Sequence, residues 1–295
     1  MTFHPIDLHF QGQPGIIAAW LIKTANEYAL IETGPGSCLP ALLQGLSEHG
    51  LNARDISKVL VTHIHLDHSG GAGWWAQQGA QVFVHPRGAQ HIIDPAKLID
   101  SATRIYGDQM QALWGDILPA PAERVTILNE GDRVTVGDVE LIAWDTPGHA
   151  RHHHAFVMGD VCFTGDVAGV RLPGCDYISV AAAPPQFEPD AYVASVERLL
   201  AANFRTLCLT HFGTVDDPRS HLTTYARRIR EVHQQVAGWK AEGLSSSEIV
   251  ERYRDIEHQR AIAAGTTESD WQRYEGSNGT AMCANGVELY VTKHG

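Results

Sequence analysis

Three histidines and an aspartate stand within six positions of this sequence, in the segment His63-Ile64-His65-Leu66-Asp67-His68. Imidazole nitrogens and carboxylate oxygens are ligands for zinc and other divalent cations. Three imidazoles and a carboxylate packed so closely would repel one another on protonation and would be costly to bury unpaired. Because a bound metal ion removes that cost, the spacing predicts a metal site.

Three further candidate ligands, His149, Asp166 and His211, repeat the layout of the first four. Each group comes shortly after an apolar run that is typical of a buried strand. The runs are Val59–Thr62, Leu141–Trp144, Val161–Phe163 and Leu207–Leu209. A single histidine at a strand end is usually an ordinary hydrogen-bonded residue. His149 and His211 are therefore candidate ligands only because they belong to the set. Together the seven residues could hold two metal ions and one activated water.

These ligands need a scaffold that brings four strand ends to one rim, where loops commonly carry chemistry. Strand patterns cover residues 16–23, 28–32, 59–62, 81–85 and 125–128, and hairpins follow at 133–136 with 139–144 and at 155–158 with 161–163. Two-residue turns containing glycine favour both hairpins. Helical patterns cover residues 38–49, 73–78, 95–106, 109–115 and 190–200, and Ser220 is the predicted cap of a helix that runs to residue 240.

The chain organisation follows from these patterns. The helical insertion at residues 86–121 interrupts the strand series and could form a pocket wall or a packed surface insertion. No Pro/Gly-rich linker precedes Ser220. We therefore expect a core over residues 1–218 and a mainly helical C-terminal extension over residues 219–295 that packs on this core. Aromatic residues of the extension could cover the core or pair two subunits as a homodimer. These are Trp239, Tyr253, Trp271 and Tyr290.

Composition narrows the class of partner. The chain has 295 residues, 44% of them hydrophobic, and can bury a large core. Its formal net charge of -12 argues against a nucleic-acid partner, since such binding draws on clustered Lys and Arg, so we expect a small-molecule substrate.

The first basic residue is Lys23, whereas a signal peptide begins with a positively charged segment. The apolar run 16–22 is too short to span a membrane. A cytoplasmic location without membrane contact is expected. Five cysteines without a Cys-x-x-Cys pair fit reduced, mostly buried thiols.

The motifs Thr62–His68, Thr146–His149, Thr164–Asp166 and Thr210–His211, in this order and spacing, resemble the successive motifs of the metallo-β-lactamase fold superfamily. The resemblance covers residues 15 to 215. Segments 31–36, 84–89 and 94–98 are similar to a branch of largely uncharacterised hydrolases related to glyoxalase-II-like enzymes. The resemblance implies an α/β fold, classed as α+β by some schemes. This is a four-layer αββα sandwich of two facing sheets, with helices outside and a site along one edge.

The resemblance also implies roles for the seven candidate ligands. The first metal site would consist of His63, His65 and His149, the second of Asp67, His68 and His211, and Asp166 would bridge them. Such ligands suit two zinc ions per chain, although iron or manganese would also bind. Two cations sharing a water should lower its pKa from about 15.7 to about 7. We predict that the resulting hydroxide attacks a carbonyl carbon of a small ester, thioester or lactone. Asp67 is expected to orient the hydroxide and could relay a proton to the leaving group.

Other functions remain open. Sulfur dioxygenases of this fold use iron at the first metal position alone and retain the other residues, so a mononuclear iron persulfide dioxygenase is the main alternative. Val167 and Ala168 follow Asp166, without the tyrosine typical of N-acyl-homoserine lactonases, which disfavours that class without excluding it. Asp rather than Cys at position 166 disfavours a β-lactamase. The intact ligand set disfavours a non-catalytic metal-binding protein.

Three groups of residues near the motifs have open roles. Glu32 stands where many members of the superfamily have Asp, and it could orient the ligand loop by hydrogen bonds or be a polar strand end with no role in the site. For the run His152–His154 we favour support behind the ligands, or solvation, over additional ligation. For the cluster Arg227–Arg230 we favour a solvated helix face over contact with an anionic substrate. Specificity is expected in residues 86–121 and 168–189 and in the C-terminal helices.

Overall fold

Contacts in the computed structural model, which describes residues 1–294, divide the chain into two compact units. The first unit comprises Met1–Asp145 and His152–Gly165, and the second comprises Thr146–Arg151 and the chain from Asp166 onward. The core and extension expected on either side of residue 218 stay a prediction. No helix within residues 1–294 is long and apolar enough to cross a lipid bilayer.

The first unit contains a six-stranded sheet in the order β1-β2-β3-β4-β5-β6. Its strands are β1 (Thr2–Asp7), β2 (Ala18–Lys23), β3 (Tyr28–Ile31), β4 (Ile56–Leu60), β5 (Gln81–Val84) and β6 (Val125–Ile127). Neighbours from β1 to β3 pair antiparallel, and neighbours from β3 to β6 pair parallel. The sequence pattern does not predict β1, because Pro5 interrupts it. Proline is tolerated there because β1 is the edge of the sheet.

Helices connect the parallel strands of this sheet, as a crossover between parallel neighbours requires. α1 (Leu39–Glu48) lies between β3 and β4, and α2 (Leu66–Ser69) and α3 (Ala72–Gln77) lie between β4 and β5. α4 (Ala89–Ile93), α5 (Ala96–Tyr106) and α6 (Met110–Trp114) lie between β5 and β6. Trp114 at the end of α6 is buried, with its ring 5.7 Å from that of Phe10. The segment 86–121 is therefore packed into the core of this unit.

Four more strands of the first unit form two hairpins in the order β10-β9-β8-β7. They are β7 (Arg133–Val136), β8 (Val139–Asp145), β9 (His154–Met158) and β10 (Val161–Gly165). All neighbours pair antiparallel. The ring of Phe163 in β10 lies 5.7 Å from the rings of both Phe3 and Trp20, which belong to the first sheet. The two sets of strands therefore pack face to face, and every residue of β9 and β10 is buried.

The second unit is mainly helical. It contains α7 (Pro189–Ala202), the antiparallel pair β11 (Thr206–Leu209) and β12 (Gly213–Val215), and the helices α8 (Pro218–Ala241), α9 (Ser246–Ala263), α10 (Glu268–Ser277) and α11 (Thr280–His294). Two sheets flanked by helices confirm the predicted α/β class and the αββα sandwich with a helical C-terminal part. All five cysteines are free and buried, as predicted.

The start of α8 differs from the prediction. The helix begins at Pro218, and Oδ1 of Asp217 accepts a hydrogen bond from the backbone N–H of Ser220 at 3.0 Å. The prediction of Ser220 as the cap is therefore wrong. Aspartate is as good an N-cap as serine, and the ring of a proline at the next position already has a helical φ.

The predicted solvated face of the arginine cluster on α8 is correct only in part. Side chains of Arg227 and Arg230 are 61% and 48% exposed, and each pairs with a glutamate. Arg228 is buried and forms an ion pair with the buried Glu257, which also accepts a hydrogen bond from the hydroxyl of Tyr177 at 2.6 Å. The prediction is wrong for Arg228, because successive helix positions point about 100° apart and place it on the inner face.

A second buried residue of α8 predicts how stability should depend on pH. Nε2 of His221 donates to the backbone carbonyl of Ala168 at 2.8 Å, and burial lowers the pKa of His221 from 6.5 to about 4. The unfolded chain therefore binds this proton at a higher pH than the folded chain does. The stabilisation from the neutral imidazole is complete above pH 6.5 and is lost as the pH falls toward 4. Its size is about 3 kcal/mol.

Urea unfolding between about pH 7 and about pH 4 measures this loss. His221→Gln, whose amide can donate to the same carbonyl, should show a flatter dependence of the free energy of unfolding on pH. His91→Gln on α4, where the histidine is only partly buried, is the matched control and should follow the wild type. An unchanged pH dependence in the His221 variant would contradict the assignment.

Candidate metal centre

Four of the candidate ligands lie in the first unit, directly after β4. His63 and His65 precede α2, and Asp67 and His68 lie in its single turn, so this segment is a short helix where the sequence predicts a loop. Nε2 of His63 lies 3.0 Å from Nδ1 of His65, and Nε2 of His68 lies 3.7 Å from Oδ2 of Asp67. These distances pair His63 with His65 and Asp67 with His68.

Glu32 holds this segment through hydrogen bonds. Its buried carboxylate accepts from the hydroxyl of Thr62 at 2.5 Å, from the backbone N–H of Thr62 at 3.2 Å and from Nδ1 of His68 at 2.9 Å. Nδ1 of His63 in turn lies 3.0 Å from the Thr62 hydroxyl oxygen and donates to it. With Nδ1 of both rings engaged as donors, the lone pair of each neutral imidazole is on Nε2. The hydrogen bonds expected of Glu32 are present.

The backbone of Glu32 is also unusual. Its φ of 67° lies in the left-handed region, which costs about 1–3 kcal/mol in a residue with a side chain. The three hydrogen bonds to its carboxylate offset this cost. A glycine at this position would relieve the strain but would leave Thr62 and His68 without their acceptor.

We expect Glu32→Gln to lower the affinity for zinc by about 10- to 100-fold, the range found when a partner that orients a metal-binding histidine is lost. The amide keeps the shape of the side chain but lacks the negative charge of the carboxylate, which accepts hydrogen bonds from both Thr62 and His68. Competition with a chromophoric chelator measures the affinity. Glu48→Gln, at an exposed position of α1, is the matched control. Equal affinity in the two variants would show that Glu32 does not support the ligands.

The other three candidate ligands lie together in the second unit, and all are buried. Oδ2 of Asp166 lies 3.3 Å from Nε2 of His149, and Oδ1 of Asp166 lies 3.5 Å from Nε2 of His211. Each oxygen of the carboxylate therefore faces a different imidazole.

Neighbours fix the orientation of these groups. Nδ1 of His149 donates to the carbonyl of Ala181 at 3.0 Å, which leaves the lone pair on Nε2 toward Asp166. The hydroxyl of Tyr192 donates to the backbone carbonyl of Asp166 at 2.6 Å and lies 2.7 Å from the hydroxyl of Tyr225. Burial raises the pKa of both tyrosines, so both remain protonated donors.

Two glycines of the motifs are required by close packing. A Cβ at Gly148 would lie 2.1 Å from Cα of Tyr192, and a Cβ at Gly165 would lie 2.6 Å from Oγ1 of Thr62. Their φ angles of 134° and 52° also favour glycine. The glycines therefore let the chain pass close to the residues that hold the candidate ligands.

The segment between β5 and β6 contributes a residue to the surroundings of Asp67. Burial, followed by the carboxylate of Asp67, raises the pKa of Tyr106 to about 12. A Cβ at Gly36, in the loop after β3, would lie 2.3 Å from the carbonyl oxygen of Asp116. The segment is therefore packed, as one of the two alternatives for residues 86–121 expects, and its role as a pocket wall stays a prediction.

The run His152–His154 is buried throughout, so the solvated alternative is wrong. The ring of His152 lies 5.5 Å from that of His65, and the ring of His153 lies 4.9 Å from that of His63. These two histidines pack around the first ligands, as the favoured alternative expects. His154 instead lies beside His85, with ring centroids 4.6 Å apart.

The structure thus places four of the candidate ligands together in the first unit and the other three together in the second. Their donors are five imidazoles and two carboxylates, a set that fits zinc and also iron or manganese. The assignment of individual ligands to two ions stays a prediction. Tyr106, Tyr192, Tyr225 and the carbonyl of Ala181 were not predicted, because no local motif marks them.

Comparison with known proteins bears on the fold and the class of activity. The sequence family described as the Metallo-beta-lactamase superfamily matches residues 12–211. A metallo-beta-lactamase fold-containing protein of Sulfurisphaera tokodaii is 27% identical over 161 residues, which span 53% of this chain and 60% of that protein. The hydroxyacylglutathione hydrolase of Idiomarina loihiensis is 24% identical over 221 residues, 73% of each chain.

Solved structures show the same architecture. A metallo-beta-lactamase family protein from Thermus thermophilus has a TM-score of 0.66 at 20% identity and covers 99% of this chain and 93% of its own. An archaeal superfamily protein from Sulfolobus tokodaii has a TM-score of 0.65 at 23% identity and covers 77% of this chain and 85% of its own. These likenesses show the fold and agree with the resemblance found in the sequence motifs.

Proposed function

Because the chain belongs to the metallo-beta-lactamase superfamily, we propose that it is a metal-dependent hydrolase that uses two divalent metal ions to hydrolyse a small ester, thioester or lactone. The family match includes all seven candidate ligands, since it spans residues 12–211.

The observation that carries the proposal is the position of Asp166. Its two oxygens lie 3.3 Å from Nε2 of His149 and 3.5 Å from Nε2 of His211. A buried carboxylate whose two oxygens face two different imidazoles fits a ligand shared by two cations. We propose that Asp166 bridges the ions. The first ion is assigned to His63, His65 and His149, and the second to Asp67, His68 and His211.

The donor set favours zinc in both positions. When bound, two such ions supply a water whose pKa falls from about 15.7 to about 7, and positive charge for the oxyanion that forms on the attacked carbonyl. His63, His68 and His149 each donate from Nδ1 to a neighbouring oxygen. Each therefore presents a neutral Nε2 without any rearrangement, so the chain is preorganised for the metal ions.

Asp67 is the candidate for proton transfer. Its side chain is 22% exposed, whereas that of His68 is fully buried and that of Asp166 is 7% exposed. A carboxylate that reaches solvent can accept a proton from the attacking water and deliver it to the leaving group. We propose that Asp67 does both.

The substrate class rests on the comparisons. Several relatives are hydroxyacylglutathione hydrolases, from Idiomarina loihiensis, Hahella chejuensis and other bacteria. Their names support an acylated small molecule as the substrate, with the carbonyl as the point of attack. We propose a thioester as the first probe and a simple ester and a lactone as the next.

The setting of the enzyme is also part of the proposal. We propose a cytoplasmic enzyme that acts on a small molecule without nucleic-acid or membrane partners. Five free cysteines, all buried, support a reducing compartment, and the net charge of -12 disfavours polyanions. The homodimer stays a prediction.

The test combines metal analysis with a substrate panel. Purified protein should contain two divalent ions per chain and should hydrolyse thioester or ester probes. A strong chelator should abolish turnover, and Zn²⁺ should restore it. One iron per chain with oxygen uptake on a persulfide would instead establish the dioxygenase. Metal-replete protein that is inactive on thioesters, esters and lactones would contradict the proposed substrate class.

A further inference from the structure

A second cluster of metal-ligand types lies in the first unit and shares no residue with the seven candidate ligands. His85 follows β5, Asp145 ends β8, and His154 begins β9. One nitrogen or oxygen of each lies within 4.8 Å of those of the other two. Asp145 and His154 are direct partners in the register of β8 and β9, and His85 comes from the facing sheet. The cluster therefore joins the two sheets.

His154 is the member that most needs a partner. Its side chain is fully buried, and neither ring nitrogen has a hydrogen-bond partner within residues 1–294. Buried polar groups are nearly always satisfied, and an orphan imidazole nitrogen is costly. A bound cation would satisfy it.

His85 and Asp145 already face each other. Nε2 of His85 lies 3.3 Å from Oδ1 of Asp145. Nδ1 of His85 accepts a hydrogen bond from the backbone N–H of Arg87 at 3.0 Å, so the proton of the neutral ring is on Nε2. For Nε2 to become a ligand, this proton must move to Nδ1.

That exchange removes the acceptor of the Arg87 N–H, at an exposed residue. Two imidazoles and a carboxylate then remain as three protein ligands, the number found in zinc sites that keep one position for water. The side chain of Asp145 is 43% exposed, which gives an ion a path from solvent.

Nearby acids add to the attraction for a cation. Besides Asp145, the carboxylates of Glu130 and Asp132 act on His154 in the direction that favours positive charge. Oε2 of Glu130 also accepts a hydrogen bond from the backbone N–H of Asp145 at 2.6 Å, which fixes the end of β8. Arg87 is the basic group that acts on Asp145 besides the two histidines of the cluster.

We propose that His85, Asp145 and His154 form a third metal site, which takes a divalent cation of the zinc class and ties the end of β5 to the ends of β8 and β9. It is separate from the proposed hydrolytic centre and does not depend on that function. A bound ion cross-links the two facing sheets of the first unit.

The test is the metal content of the full-length protein and of Asp145→Asn after loading with excess Zn²⁺ and removal of unbound metal. The amide in this variant is a weak ligand because it lacks the charge, while the shape of the side chain is kept. The wild type should hold one equivalent of zinc more than the variant, whatever the count at the seven-ligand centre. Asp132→Asn, which removes a nearby charge but no ligand, should keep the wild-type content.

Two further measurements complete the test. Anomalous diffraction at the zinc edge should show a peak about 2.0–2.1 Å from a ring nitrogen of His85 and of His154. Zn²⁺ should raise the melting temperature of the wild type more than that of Asp145→Asn. Equal zinc content in the wild type and Asp145→Asn would overturn the proposal, as would an equal loss in Asp132→Asn, since that would be an effect of charge alone. If Asp145→Asn fails to fold, the anomalous peak in the wild type decides, and its absence at full zinc loading overturns the site.

Discussion

Replacing Asp166 by asparagine is expected to reduce the zinc content and to lower kcat/KM by more than about 100-fold. Loss of a residue that merely orients a ligand costs about 10- to 100-fold, and Asp166 is proposed to be a ligand of both ions. The amide retains the shape of the side chain, and the backbone carbonyl of Asp166 still accepts from Tyr192, so the fold should survive. Metal analysis and steady-state kinetics on the same preparation measure both effects.

The control for this variant is Asp138→Asn. Asp138 is exposed in the turn between β7 and β8, so the change removes the same charge from the chain far from the candidate ligands in sequence. It should leave zinc content and kinetics at wild-type values. If Asp166→Asn kept both the full metal content and the turnover, the bridging assignment would be wrong, and with it the two-ion form of the proposal.

Asp67→Asn should lower kcat by a factor on the order of 10² to 10⁴, the range for loss of a positioned general acid or base. If Asp67 delivers the proton to the leaving group, the loss should depend on that group. A thiol has a pKa of about 8.5 and can leave as a thiolate without help, whereas an alkoxide needs the proton far more. The defect should therefore be larger for an ester than for a thioester of the same acyl group.

Asp100→Asn, at an exposed position of α5, is the matched control for this comparison and should affect neither substrate. Equal losses on the ester and the thioester would remove the proton-relay role and leave Asp67 as a ligand only. A full loss of metal in Asp67→Asn would point the same way. Wild-type activity on both substrates would contradict both roles.

Local sequence patterns predict much of the scaffold. The runs before His63, before Asp166 and before His211 all belong to strands, because β-branched and aliphatic residues in short runs favour a pleated, buried conformation. Two-residue turns with glycine set both hairpins. These features depend on neighbours in the chain, so they can be inferred without knowing the fold.

Elements whose stability comes from distant contacts are harder to infer. β1 contains Pro5 and pairs along β2, so its strand character depends on a partner strand and is weak in its own sequence. Arg228 lies between two arginines that face solvent, yet it is buried because Glu257, 29 residues later, neutralises it. No local pattern distinguishes Arg228 from its neighbours.

The candidate ligands divide in the same way. The sequence shows the types and spacing of the candidate ligands and the family of the chain. Imidazoles and carboxylates clustered at strand ends indicate a metal site, because they are costly to bury unpaired. The groups that orient them come from far along the chain, since Glu32 precedes His68 by 36 residues and Ala181 follows His149 by 32. Only the tertiary structure brings such pairs within hydrogen-bonding distance.

The sequence by itself therefore determined the family and the types of the candidate ligands, and the tertiary structure decided how each group is held. Residue types and strand periodicity are local properties, encoded within a few positions. Packing between distant segments decides which ring nitrogen carries a lone pair, which side chain is buried and which partner forms its hydrogen bond. For that reason the cluster of His85, Asp145 and His154, drawn from three strand ends of two sheets, becomes visible only in the folded chain.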